Sequence, residues 1–208
     1  MSSPSLPTLA AEQAAARACR LCAATLPWEP RPVLRGEATA RLLIVGQAPG
    51  RKVHETGIPW NDASGTRLRA WLGMSPAVFY DERQVAIMPM GLCYPGAAPR
   101  GGDYPPRPEC APLWHSRLRP LLPAVRLTLL VGSYAQKYYL GSRCRSTLSE
   151  TVLAAQDYLP AFWPLPHPSW RNTAWLNRRP AFTDTQIPAL QAHLRALGIG
   201  PLLPTTTA

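Results

Sequence analysis

Three groups of residues in this chain have types and spacings suited to chemistry. Cys19 and Cys22 form a Cys-x2-Cys pair, and Cys93 and Cys110 bracket a Pro/Gly-rich stretch, GLCYPGAAPRGGDYPPRPEC. Two such pairs can present four thiolates to one metal centre. Their spacing leaves zinc, an iron–sulfur cluster and four unlinked buried thiols all open. The second group is Gly46-Gln47-Ala48-Pro49-Gly50, followed by Gly57-Ile58-Pro59-Trp60-Asn61-Asp62-Ala63-Ser64-Gly65. Glycines in such a loop let a ligand approach backbone N–H groups. The third is His167-Pro168-Ser169, an imidazole beside a rigid proline. Alone, the glycine loop reads as an ordinary turn and the histidine as a structural one. Together they bring Gln47, Asp62 and His167 towards one crevice.

Composition narrows the partners. Of 208 residues, 22 are Lys or Arg and 12 are Asp or Glu, a net charge of +10. The basic side is almost wholly arginine, with only Lys52 and Lys137 as lysines. Arginine pairs bidentately with phosphate, so a polyanionic partner fits, although a GC-rich genome gives the same bias. A hydrophobic share of 46% supports a sizeable core and argues against a mostly disordered chain. There is no apolar run long enough to span a membrane and no recognisable secretory signal, which favours metal-binding thiols over a disulfide framework. Cys144 lies outside the paired pattern and reads as a free thiol.

Those residues need a scaffold that gathers them. Four short apolar runs, 41–46, 84–90, 126–132 and 159–166, read as buried parallel strands. Helical patterns fall at 10–20, 64–72, 108–122, 133–140 and 186–197. Strands alternating with helices predict an α/β fold, an open and mainly parallel four-stranded sheet in three α/β/α layers. Residues 10–200 form one domain in this reading, with 1–9 and 201–208 as frayed, disordered ends. Ligands of open sheets sit beyond the carboxyl ends of strands, where both conspicuous loops emerge.

The chain resembles the uracil-DNA glycosylase superfamily, and most of all its iron–sulfur branches, the fourth and fifth families. The resemblance rests on Gly46–Gly50, Gly57–Trp60, Ser64-Gly65 and His167–Ser169, in that order. The segment from Leu129 through Leu140 also has the family look, and the likeness spans about residues 15–197. It implies a uracil-DNA glycosylase-like fold and a monofunctional glycosylase of base-excision repair. It also implies a [4Fe–4S] cluster on Cys19, Cys22, Cys93 and Cys110, structural in role, with zinc as the alternative. DNA carrying a damaged base is the implied partner, of a monomeric, cytoplasmic and nucleoid-associated protein.

Hydrolysis of an N-glycosidic bond develops positive charge on the sugar and negative charge on the base. A carboxylate near the anomeric carbon, hydrogen-bond donors at the base oxygen and an aromatic wall for the flipped base meet these needs. The fourth family carries an acidic residue at the position of Gln47, which cannot act as a base. Asp62 matches the catalytic aspartate of the fifth family, although it also suits a helix cap. His167 matches the family histidine that donates to the base. Gln47, Ala48, Trp60 and Pro89 are then the base-binding positions, with Trp60 in place of a phenylalanine. Trp170 falls where the superfamily carries a DNA wedge, and Arg171, Ser64, Ser133 and Ser169 suit phosphate contacts. Pro89 stands where the fourth family reads uracil with asparagine. The excised base is therefore uracil or another deaminated base, and the alternative is a DNA-binding homologue with weak or no uracil activity.

Overall fold

The computed structural model describes residues 7–200. Its centre is a sheet of β1 (Leu42–Val45), β2 (Val85–Ile87), β3 (Leu127–Val131) and β4 (Phe162–Leu165) in the order β2-β1-β3-β4. Every neighbouring pair is parallel: Leu43 pairs with Ala86 and Thr128, and Leu129 with Trp163. The sheet is thus parallel throughout its four strands, and Arg35 adds one antiparallel bridge to Ile87 at the edge of β2. The continuous apolar runs have a simple cause, because the sheet is covered on both faces. Leu42, Ile44, Leu127, Leu129, Val131, Trp163 and Leu165 face one buried cluster, while Leu43, Val45, Ala86 and Leu130 face the other.

In chain order the helices are α1 (Leu9–Arg17), α2 (Arg51–Thr56), α3 (Ala63–Leu72), α4 (Pro76–Phe79), α5 (Cys110–Leu118), α6 (Ser133–Leu140), α7 (Leu148–Leu153), α8 (Thr173–Asn177) and α9 (Ile187–Ala196). The five expected helices are present. The first ends at Arg17, so Cys19 and Cys22 sit in turns rather than on a helix. It also begins at Leu9, inside the stretch expected to fray. Residues 1–6 and 201–208 lie outside the described residues. The helices α2, α4, α7 and α8 had no sequence signal, because six residues or fewer show no helical period. The second and fourth strands are shorter than expected, Val85–Ile87 in place of 84–90 and Phe162–Leu165 in place of 159–166.

The order of the strands sets the site. From β1 the chain moves to β2 on one side, then crosses to β3 on the other. The crevice of such a sheet opens beside β1 and β3 at their carboxyl ends. The loops after Val45 and Leu165 leave at that end, as does Gly132 before α6.

Candidate active site

These loops enclose a cavity of about 540 Å³. Gly46, Gln47 and Ala48 come from the loop after β1, Trp60, Asp62 and Ser64 from the entry to α3, and His167, Ser169, Trp170 and Arg171 from the loop after β4. Pro89 joins them from beyond β2. Of the expected catalytic, base-binding and DNA-contacting residues, all but Ser133 line the cavity; Ser133, expected at a phosphate, opens α6 instead.

Trp60 is the sharpest local feature. Its φ is +57°, a left-handed backbone that a bulky residue adopts only under constraint. Arg69 donates to its carbonyl at 3.2 Å, and the Tyr80 hydroxyl donates to the neighbouring Pro59 carbonyl at 3.0 Å. Two glycines make room for it: a Cβ at Gly65 would meet the Trp60 carbonyl oxygen, and one at Gly46 would lie 2.7 Å from the indole. The indole is thereby set beside His167, with ring centroids 5.8 Å apart and planes 35° from parallel.

His167 is held as a neutral donor. Burial pushes its pKa down, against the pull of Asp62. The Ser169 amide donates to Nδ1 at 3.3 Å, which assigns the proton to Nε2. Asn172 fixes the backbone by donating to the His167 carbonyl at 2.7 Å. The ring therefore keeps one N–H that it does not spend on its own loop.

Asp62 is a helix cap with an oxygen to spare. Its Oδ1 accepts from the Gly65 amide at 2.8 Å at the start of α3, while Oδ2 faces Gly50. Gln47 donates from Nε2 to the Tyr104 carbonyl at 3.2 Å, tying its loop to the stretch between Cys93 and Cys110. Pro89 is engaged through its carbonyl, 3.0 Å from His115 Nε2, and His115 Nδ1 lies 2.7 Å from the Tyr139 hydroxyl. Burial lowers the pKa of His115 to about 4, so it is a neutral strut beneath the site.

At the rim, Trp170 is 74% exposed, with the Arg171 guanidinium 5.3 Å from its ring centre. That guanidinium lies against the Gly101-Gly102 turn instead of projecting freely. Beside it is Asp103, which lines the cavity and escaped the sequence reading. It belongs to no motif and lies between the second cysteine pair, where proline and glycine erase periodicity. Desolvation raises its pKa, opposed by Arg171 and Tyr94 and reinforced by Asp62.

A second, apolar cavity gathers Cys19, Cys22, Cys93 and Cys110, with Leu92 and Trp114 among its walls. The Leu92 amide donates to Cys110 Sγ at 3.3 Å. Cys144 is apart, donating to the Gln136 carbonyl at 3.5 Å. Among the described residues no three His, Cys, Asp or Glu side chains converge on a single ion position. Burial and the neighbouring thiols push Cys93 up to about 12 and Cys110 up to about 11, so without a bound cation these groups are neutral thiols. The donor set is soft and free of carboxylate and imidazole, the chemistry that suits iron–sulfur or zinc.

A sequence model of the Uracil DNA glycosylase superfamily matches residues 34–191. The chain belongs to the uracil DNA glycosylase superfamily. Solved structures similar to it include the solution NMR structure of a Methanosarcina acetivorans protein provisionally assigned as a uracil DNA glycosylase. It is 17% identical with a TM-score of 0.44, covering 80% of this chain and 98% of the other. A second is the crystal structure of wild-type Pedobacter heparinus SMUG2, 16% identical with a TM-score of 0.42, covering 74% of this chain and 76% of that one. For this superfamily member the architecture stands on its own sheet order, and membership stands on the matched residues. Membership supports a DNA glycosylase in general, a hydrolase whose partner is DNA. Among the described residues no helix is long and apolar enough to cross a membrane.

Proposed function

We propose that this chain is a monofunctional DNA glycosylase that hydrolyses the bond between deoxyribose and uracil, or another deaminated base, flipped out of DNA. The observation that carries this reading is the pairing inside one cavity of a neutral His167, with Nε2–H unspent, and Asp62, with Oδ2 unspent. The donor answers the negative charge that develops on the base, and the carboxylate answers the positive charge on the sugar. Trp60 supplies a wall for the extruded base, and exposed Trp170 at the rim suits a wedge into the duplex. Ser64, Ser169 and Arg171 border the same opening and suit the flanking phosphates, with Ser133 as an outlying contact.

The base is read without an asparagine at Pro89, whose carbonyl is already met by His115. Gln47 commits its amide nitrogen to Tyr104, which leaves its oxygen as the acceptor for a ring N–H. Uracil, hypoxanthine and xanthine all carry one. The same two features favour the second reading, a DNA-binding homologue with weak or no uracil activity. A panel of single- and double-stranded oligonucleotides with uracil, hypoxanthine, xanthine or normal bases, cleaved afterwards with alkali, separates the two. Strand breaks at one deaminated base support the glycosylase; tight DNA binding with no breaks at any base supports the homologue.

The proposal includes a [4Fe–4S] cluster held by Cys19, Cys22, Cys93 and Cys110, with zinc as the alternative. When bound, it supplies a cation that keeps the thiolates ionised and cross-links the turn after α1 to both ends of the Cys93–Cys110 stretch. A monomer acting on DNA in the cytoplasm completes the reading.

A further inference from the structure

We infer that Asp103 is a second catalytic carboxylate of this site, which with Asp62 holds the hydrolytic water in the gap over Gly50; this rests on the glycosylase reading above. The geometry converges on one point. A Cβ built on Gly50 would lie 3.6 Å from Asp103 Oδ2 and 3.9 Å from Asp62 Oδ2, the two nearest atoms beyond its own neighbours in the chain. Asp62 Oδ1 is spent on the α3 cap, so Oδ2 is the oxygen it offers.

Gly50 is informative because the backbone does not demand it. Its φ of −81° and ψ of 176° suit any residue, and the two contacts are of ordinary van der Waals length. A methyl group there would fit, in contact with both carboxylates. Asp103 is also held in place. Ala97 bridges to it, Gly102 accepts from the Ala98 amide at 2.8 Å, and Gln47 donates to the adjoining Tyr104 carbonyl. The charged and titratable groups around it are Asp62 from the α3 cap, Tyr94 from its own loop and Arg171 from the turn after His167.

Two carboxylates at one water divide the work of a hydrolase. The C1′–N bond breaks and its electron pair leaves with the base. The water oxygen bonds to C1′ and one water proton passes to the carboxylate pair. The departing base takes up a proton from solvent, giving free base and a C1′ hydroxyl. Arg171 limits the repulsion between the two acids.

The test is single-turnover release of the preferred base by wild type, Asp103→Asn, Gly50→Ala and Asp62→Asn, with DNA affinity and thermal midpoint measured alongside. Asp103→Asn is expected to lose on the order of 100-fold in rate with DNA affinity within about threefold of wild type. Gly50→Ala is expected to fold normally and to lose a comparable factor, because its methyl displaces the water. A crystal structure should then show a water bridging both Oδ2 atoms in wild type and not in Gly50→Ala. Active wild type with Asp103→Asn within about threefold of it overturns the inference and leaves the glycosylase reading standing. A loss confined to DNA affinity overturns it as well. Wild type that releases no base overturns the reading and this inference together.

Discussion

The crevice and the cysteine cavity share one stretch of chain but are held by different forces. Cys93 and Cys110 root that stretch in an apolar cavity, while Gly101, Gly102 and Asp103 at its tip line the crevice. The crevice groups are positioned by hydrogen bonds the protein makes itself: the Asp62 cap, the Ser169 amide on His167, and Arg69 on Trp60. The cysteine cavity offers thiols whose ionisation burial opposes. The crevice geometry is therefore preorganised by the protein's own hydrogen bonds, whereas the cysteine cavity holds buried neutral thiols, which the proposed metal centre would ionise and cross-link.

The largest effects should come from the crevice. His167→Ala and Asp62→Asn should each lower single-turnover base release by about 100-fold or more, with DNA affinity and metal content unchanged. Asparagine caps helices as well as aspartate does, so Asp62→Asn separates catalysis from capping. Full activity in Asp62→Asn would reduce that residue to a cap and break the contrast on the crevice side.

Next come the cysteines. Protein purified anaerobically should be brown and contain iron with the four thiols as ligands. Cys93→Ser should lose the metal, lower the thermal midpoint and leave residual base release, because Asp62 and His167 are not held by the metal. Stoichiometric zinc without iron would select the alternative centre. Loss of all activity in a variant that stays folded would show that the two regions are one unit.

A smaller effect is acid sensitivity at the strut between the regions. His115 is neutral when folded, with its pKa at about 4, and takes up a proton when unfolded near the ordinary value of 6.5. The unfolded chain thus binds more protons between these values, so its contribution to stability is complete above pH 6.5 and is lost as pH falls towards 4. Thermal midpoints should drop by about 5 to 10 °C across that window from this group. A flat profile would mean that His115 titrates in the fold as it does in the unfolded chain, which would overturn its role as a buried neutral strut. The smallest effect belongs to the rim. Trp170→Ala should slow duplex processing by on the order of tenfold and single-strand processing less, since only a duplex must be unstacked. Equal losses would remove the wedge role.

Several parts of this arrangement were legible without coordinates. Apolar runs such as LLIV and LTLLV have no polar face, which marks strands covered on both sides. Asp62 ahead of α3 carries a capping signal. The two cysteine pairs were recognisable as pairs, and Cys144 as the outlier. These features depend on neighbours in the chain, so local chemistry fixes them.

Tertiary structure decided the rest. Asp103 enters the crevice because its loop is anchored at two cysteines and tied across the cleft to Gln47, contacts distant in sequence. Arg171 lies on Gly101-Gly102, a contact with a turn far away in the chain that no local pattern announces. Ser133 starts α6 after β3 yet stays outside the cavity. The sequence by itself determined the sheet, the caps and the kinds of residue available for chemistry. Which carboxylates line one cavity, and which nitrogen of His167 keeps its proton, depended on how loops from three strand ends meet, because that packing alone sets their distances and their exposure to water.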